Sequence, residues 1–130
     1  MTALRKSVLP GLFILLFLSS FTIVREWTLI GSRVVNYGLD RDVIMVRGRD
    51  AFRAIKIKVV DAGLHMYDMD VVFENGERMN VPVQFNFHEG EESRVIDFPG
   101  KIRRIRKIEF TYDTKGVRKG KAKVLVFGKR

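Results

Sequence analysis

An all-β fold, an antiparallel and jelly-roll-like β-sandwich of about eight short strands, follows from three observations on this 130-residue sequence. Beyond residue 24 the apolar residues recur with a period of two, the mark of half-buried strands. Turn-forming residues interrupt that alternation about every 8–12 positions, the spacing of an all-β sandwich. No stretch after residue 24 sustains the roughly 3.6-residue period of a helix. A chain of this length builds one core, so a single domain is expected at residues 25–130, behind a signal segment at residues 1–24. Hydrophobic residues make up 46% of the chain and charged residues 30%, and ten phenylalanines are available to fill the core.

The leader comes first. MTALRKS carries Arg5 and Lys6, and the run from Val8 to Val24 is free of charge. A basic stretch, an apolar stretch and then small polar residues form the secretory-signal pattern, which places the start of the mature chain near Ile23 to Trp27. Export to a periplasmic or extracellular location is therefore expected. The alternative is a membrane anchor through residues 8–24, but that run gives only about 25 Å of helix against a hydrocarbon core of ~30 Å. The sequence contains no cysteine. Disulfides, thiolate catalysis, cysteine-based zinc sites and lipid attachment at a cleavage-site cysteine are excluded together.

The strands follow in order. WTLIGSRVV (27–35) ends at Asn36-Tyr37-Gly38, and DVIMVR (42–47) closes with the turn RGRD. In AIKIKVVD (54–61), Ile55, Ile57 and Val59 share one face and Lys56 and Lys58 the other. LHMYDMDVVF (64–73) aligns Tyr67, Met69, Val71 and Phe73 against Asp68 and Asp70. Asn75-Gly76 is the strongest hairpin signal in the chain. It leads to RMNVPVQFNF (78–87), where Pro82 cannot donate to a ladder and so predicts an edge or a bulge. After the loop HEGEES come SRVIDF (93–98) and the turn Pro99-Gly100. KIRRIRKIEFTYD (101–113) begins as a bend that tucks in Ile102 and Ile105, then becomes a strand with Ile108, Phe110 and Tyr112 inward. KAKVLVFGK (121–129) is apolar on both faces around Val124–Phe127, which predicts a strand inside a sheet. The expected core includes Ile57, Val71, Val83, Phe85, Phe110 and Val126.

The order Trp27-Thr28-Leu29-Ile30-Gly31, Asp40-Arg41-Asp42-Val43-Ile44, Phe52-Arg53-Ala54-Ile55, Tyr67-Asp68-Met69, Phe73 to Gly76, Ser93-Arg94-Val95-Ile96-Asp97 and Ile105 to Tyr112 resembles a family of small bacterial exported proteins of unknown function. The resemblance implies export and a β-sandwich, and it implies no activity, cofactor or catalytic residue. In architecture alone the run of strands is similar to galactose-binding-like jelly rolls.

Chemistry is thinly supplied, and a non-enzymatic protein without cofactor or metal is expected. After the leader the serines are Ser32 and Ser93 and the histidines His65 and His88, with no nucleophile elbow. Asp68 and Asp70, about 6.6 Å apart on one strand face, make a hydrolase with a carboxylate pair imaginable. The expected role of Asp68 is instead a structural ion pair with an arginine on an adjacent strand. His88, Glu89 and Glu91, or Asp40 and Asp42, match no recognised metal pattern. Trp27, Tyr37, Tyr67 and Tyr112 would stack on a sugar if they surfaced together, which makes a carbohydrate-binding module the alternative reading. Of these, Trp27 and Tyr112 are expected in the core and Tyr37 on the surface.

Charge segregates along the chain. Residues 101–130 carry 12 Lys+Arg against Glu109 and Asp113, whereas residues 25–100 carry 10 against 13 acids. The net charge of +9 therefore resides in the last thirty residues. Arg103, Arg104, Arg106, Lys107, Lys115, Arg118, Lys119 and Lys121 are the candidate anion-binding residues, expected to form one basic end of the sandwich. An anionic envelope polymer or a phospholipid headgroup is the expected partner, with membrane contact otherwise only through an uncleaved leader. No specific nucleic acid is expected, because no recognition motif accompanies the charge.

Overall fold

The structure is a computed structural model that describes residues 26–82, 85–100, 102–114 and 121–130. The leader, Val83 and the basic loop containing Lys115, Arg118 and Lys119 lie outside the described residues. Ten strands are present among the described residues: β1 (Trp27–Val34), β2 (Leu39–Met45), β3 (Ala51–Phe52), β4 (Ala54–Val60), β5 (Leu64–Phe73), β6 (Arg78–Val81), β7 (Phe85–Phe87), β8 (Ile96–Asp97), β9 (Arg103–Asp113) and β10 (Lys123–Lys129). They form two antiparallel sheets. One has the order β1-β10-β4-β8, and the other β2-β9-β5-β6, with β3 on β9 and β7 on β5. No helix among the described residues is long and apolar enough to cross a membrane.

The alternation of apolar residues sets the inner faces. Ile30, Ile55, Ile57, Val59, Val124 and Val126 from the four-stranded sheet meet Ile44, Met66, Met69, Val71, Ile108, Phe110 and Tyr112 from the other, all buried. Of the expected core, Ile57, Val71, Phe110 and Val126 are buried, while Phe85 is half-buried against the cluster. β10 lies inside its sheet, between β1 and β4, as its two apolar faces require. Pro82 separates β6 from β7 at the edge of the six-stranded sheet, where a residue without an N–H is tolerated. The Asn75-Gly76 hairpin closes with three loop residues, Glu74 to Gly76, between paired Phe73 and Glu77. Gly76 takes a φ of 90°, the left-handed conformation such a loop needs.

Several expectations give way. The eight strands become ten because Pro82 splits one strand and Ala51–Phe52 adds a short pairing with Arg103 and Arg104. β8 is confined to Ile96–Asp97, since Ser93 is engaged elsewhere: its hydroxyl accepts from the Ile57 N–H at 2.9 Å and donates to the Arg94 carbonyl at 2.8 Å. Ile102 is exposed rather than tucked in, and β9 is extended from Arg103 onward. Trp27 is not in the core. It lies half-buried on the outer face of the four-stranded sheet, with the Lys56 ammonium 4.6 Å from its ring centroid.

Two bulges reset the alternation of the six-stranded sheet. In β5, Met66 opposes Tyr112 and Asp68 opposes Thr111, so Tyr67 is the extra residue. Tyr67 was expected on the inner face; the bulge turns it outward, where it is 44% exposed. In β9, Val72 opposes Lys107 and Phe73 opposes Ile105, so Arg106 is extra and Ile105 and Ile108 both point inward.

Candidate functional site

Among the described residues, the candidate cations do not gather in one patch. β9 spans eleven residues, so Arg103 and Asp113 are about 33 Å apart. Arg103, Arg104, Arg106 and Lys107 enter the strand at one end. Exposed Lys121 lies at the other, beside Ala122, whose carbonyl accepts from the Val35 N–H. The described cations are also largely engaged. Arg103 contacts Glu77 at 3.2 Å and stacks 4.0 Å above the Phe73 ring, Arg106 donates to the Glu74 carbonyl, and Lys107 contacts Glu109 at 3.2 Å. Arg104 is exposed and makes no ion pair among the described residues.

The outer face of the six-stranded sheet carries two distinct zones. Across its middle, Val43, Glu109, Asp70 and Asn80 fall on one line of register, with Met45, Lys107, Val72 and Arg78 on the next outward line. Glu109 is the hub: it accepts from Arg41 at 2.6 Å, from Arg78 at 3.0 Å and 3.3 Å, and contacts Lys107 at 3.2 Å. Arg78 also reaches Asp70 at 3.4 Å. Hydrogen bonds from Arg78 first, then from Lys107, hold the Glu109 carboxyl at about 2, although burial pushes the other way. In sequence alone Glu109 stands only as a strand's polar side. Its signal was that it is the only acid between residues 101 and 112.

A pH prediction follows for this web. The ordinary value for Glu109 is 4.5, so the unfolded chain takes up its proton first as acid is added. The stabilisation is complete above about pH 4.5 and is lost as pH falls through 2. Because Arg41 and Arg78 stand half in water, screening holds the contribution to about 1–2 kcal/mol. Denaturant melts between these pH values should show it in the parent and lose it in Glu109→Gln. Identical acid slopes would show that the web adds no stability.

Among the described residues Asp68 is paired with no arginine, which departs from the sequence expectation. The arginine of the neighbouring strand, Arg78, is drawn to Asp70 and Glu109, and Asp68 instead accepts from Asn80 Nδ2 at 2.8 Å. The same amide nitrogen donates to Asp70 at 2.8 Å, so Asn80 bridges the two carboxylates once considered as a catalytic pair. Asp42 is committed to Arg33 at 3.0 Å and to the Tyr112 hydroxyl at 3.0 Å, and Asp40 to Asn36 at 2.9 Å. No group of three potential metal-ligating side chains occurs among the described residues.

The second zone lies toward the far end of β9. Leu39, Asp113, His65 and Asn86 make one line across β2, β9, β5 and β7, and the bulged Tyr67 stands next to it. His65, Tyr67, Asn86 and Asp113 line a shallow depression of about 270 Å³. The His65 ring meets Tyr67 edge-on, with centroids 4.3 Å apart at 66°, and its Nδ1 shares a hydrogen bond with Asn86 Oδ1. A larger groove of about 540 Å³ follows the seam between edge strands β1 and β2, past Leu29, Arg33, Met45 and Arg47.

Fold and surface thus define an antiparallel β-sandwich with an ion-paired face and a small aromatic depression. Residues 10–128 match the family described as a domain of unknown function (DUF2541), and the chain belongs to that family. Among solved structures it is similar to one described as "Structural and functional characterization of Pseudomonas aeruginosa AlgX", with a TM-score of 0.51 and 13% identity. The likeness takes in 81% of this chain but 27% of the AlgX chain, so it concerns the sandwich fold alone. No curated protein matches the chain.

Proposed function

We propose that the chain is exported and serves as a non-enzymatic β-sandwich that binds or buttresses a component of the cell envelope. Its carrying observation is the charge-free run from Val8 to Val24 behind Arg5-Lys6, joined to a β-sandwich domain. The non-enzymatic part is supported by how the carboxylates are spent. Asp68 and Asp70 share the Asn80 amide, and hydrogen bonds from Arg78 and Lys107 hold the Glu109 carboxyl down at about 2, far from the range of a general acid. Fractionation of cells producing the full chain, with mass spectrometry of its N-terminus, tests the export step. The expected first residue lies between Ile23 and Trp27, outside the cytoplasm; an intact Met1 in a soluble cytoplasmic pool overturns the proposal.

A further inference from the structure

We infer that the depression around Tyr67 is a saccharide subsite that receives one neutral hexopyranose ring. The inference rests on the binding role proposed above and adds the ligand class and the place of contact.

Three features converge there. First, an aromatic ring stands on the solvent side of a sheet because a bulge puts it there: Tyr67 is 44% exposed, between buried Met66 and buried Met69. Its edge contact with His65 restricts the ring, so little further ordering is needed when an apolar sugar face packs on it. Second, planar polar groups with unspent hydrogen-bonding capacity surround it. Asn86 Oδ1 and His65 Nδ1 share a hydrogen bond, which leaves the other ring nitrogen, Nε2, to meet a ligand. The Asn86 amide nitrogen has no other partner among the described residues. A sugar hydroxyl both donates and accepts, so it can meet either kind of group. Third, the depression, at about 270 Å³, lies just below the size of drug-sized pockets, which suits a single ring on a longer chain.

Charge selects among sugars. The Asp68 carboxylate is the neighbour of Tyr67 on β5, while Arg41 and Arg78 are held by Glu109. A carboxylate-bearing sugar would meet like charge, whereas a neutral hexose would not.

The test uses the full-length chain titrated with a cello-oligosaccharide, a chito-oligosaccharide and an oligogalacturonate, followed by calorimetry and by amide chemical shifts. The expected result is saturable binding of a neutral oligosaccharide, with shifts concentrated at residues 65–68 and 86. Tyr67→Ala should weaken it about tenfold or more, and Tyr67→Phe should retain it. Because Tyr67 is half in water, an unchanged thermal midpoint in Tyr67→Ala separates lost contact from lost fold. Absence of binding to all three probes, or shifts that map to another face, overturns the subsite. So does oligogalacturonate binding more tightly than the neutral probes and weakening with salt, which would point to the cations instead. If wild-type and Tyr67→Ala chains retain the same partner from envelope extract while no saccharide binds, the subsite falls and the envelope-binding role stands.

Discussion

Replacing Phe110 with alanine is expected to destabilise the fold by about 3–5 kcal/mol, the largest effect of any single truncation argued from this structure. Phe110 is 2% exposed and lies on β9, the strand that β2 and β5 flank, opposite Asp42 on one side and Met69 on the other. Its ring packs against Tyr112, with centroids 5.5 Å apart. Strands on both sides fix the backbone, so the walls cannot collapse into the space the ring leaves, and the cavity adds to the lost burial. Urea unfolding of parent and variant measures this as a fall in midpoint with little change in slope. A loss below about 1 kcal/mol would mean that Phe110 does not face the core.

Tyr112→Phe is expected to cost about 1–3 kcal/mol through a single oxygen atom. The hydroxyl donates to buried Asp42 at 3.0 Å and accepts from the Asn36 N–H at 2.9 Å. Asp42 also holds Arg33 of β1, so the phenol belongs to a polar link between the two sheets at their open edge. Phenylalanine keeps the ring but leaves an N–H and a carboxylate oxygen short of a partner in poorly solvated surroundings. The same site predicts alkaline behaviour. Burial first, with the nearby Asp42 and Asp40 charges adding to it, pushes Tyr112 from 10 up to about 12. The unfolded chain therefore loses this proton first. The contribution is complete below about pH 10 and is lost as pH rises through 12. Unfolding free energies in that range should fall more steeply for the parent than for Tyr112→Phe. Parallel curves would show that the hydroxyl is not held in this way.

The strands themselves were legible because their core faces obey a two-residue period, as in Ile55, Ile57 and Val59. Bulges were harder to see, although they leave a trace. In an alternating run, an apolar spacing of three marks an inserted residue, and both Met66–Met69 and Ile105–Ile108 have it. With the alternation continued through it, Tyr67 falls among the apolar positions of its strand. That concealed the exposed ring. Which strands adjoin was illegible for a different reason. His65 meets Asn86 only because β7 pairs with β5, and Glu109 gathers Arg41 and Arg78 from two other strands. Such partners are set by register between segments far apart in sequence, and composition does not encode it. Charge segregation was a correct observation, but the candidate cations among the described residues lie toward both ends of an eleven-residue strand rather than at one.

The position of β10 has a consequence for the chain's life before it folds. β1 begins the described domain and β4 follows within thirty residues, yet they share no ladder; both bond to β10, whose last residue is Lys129. The four-stranded sheet therefore cannot assemble until β10 has left the ribosome. Contacts across about a hundred residues must wait for β10 to be made, and such long-range pairing is intrinsically slow. For a chain proposed to leave the cytoplasm, this order of events keeps the nascent polypeptide open and threadable during the interval in which a translocation channel must capture it.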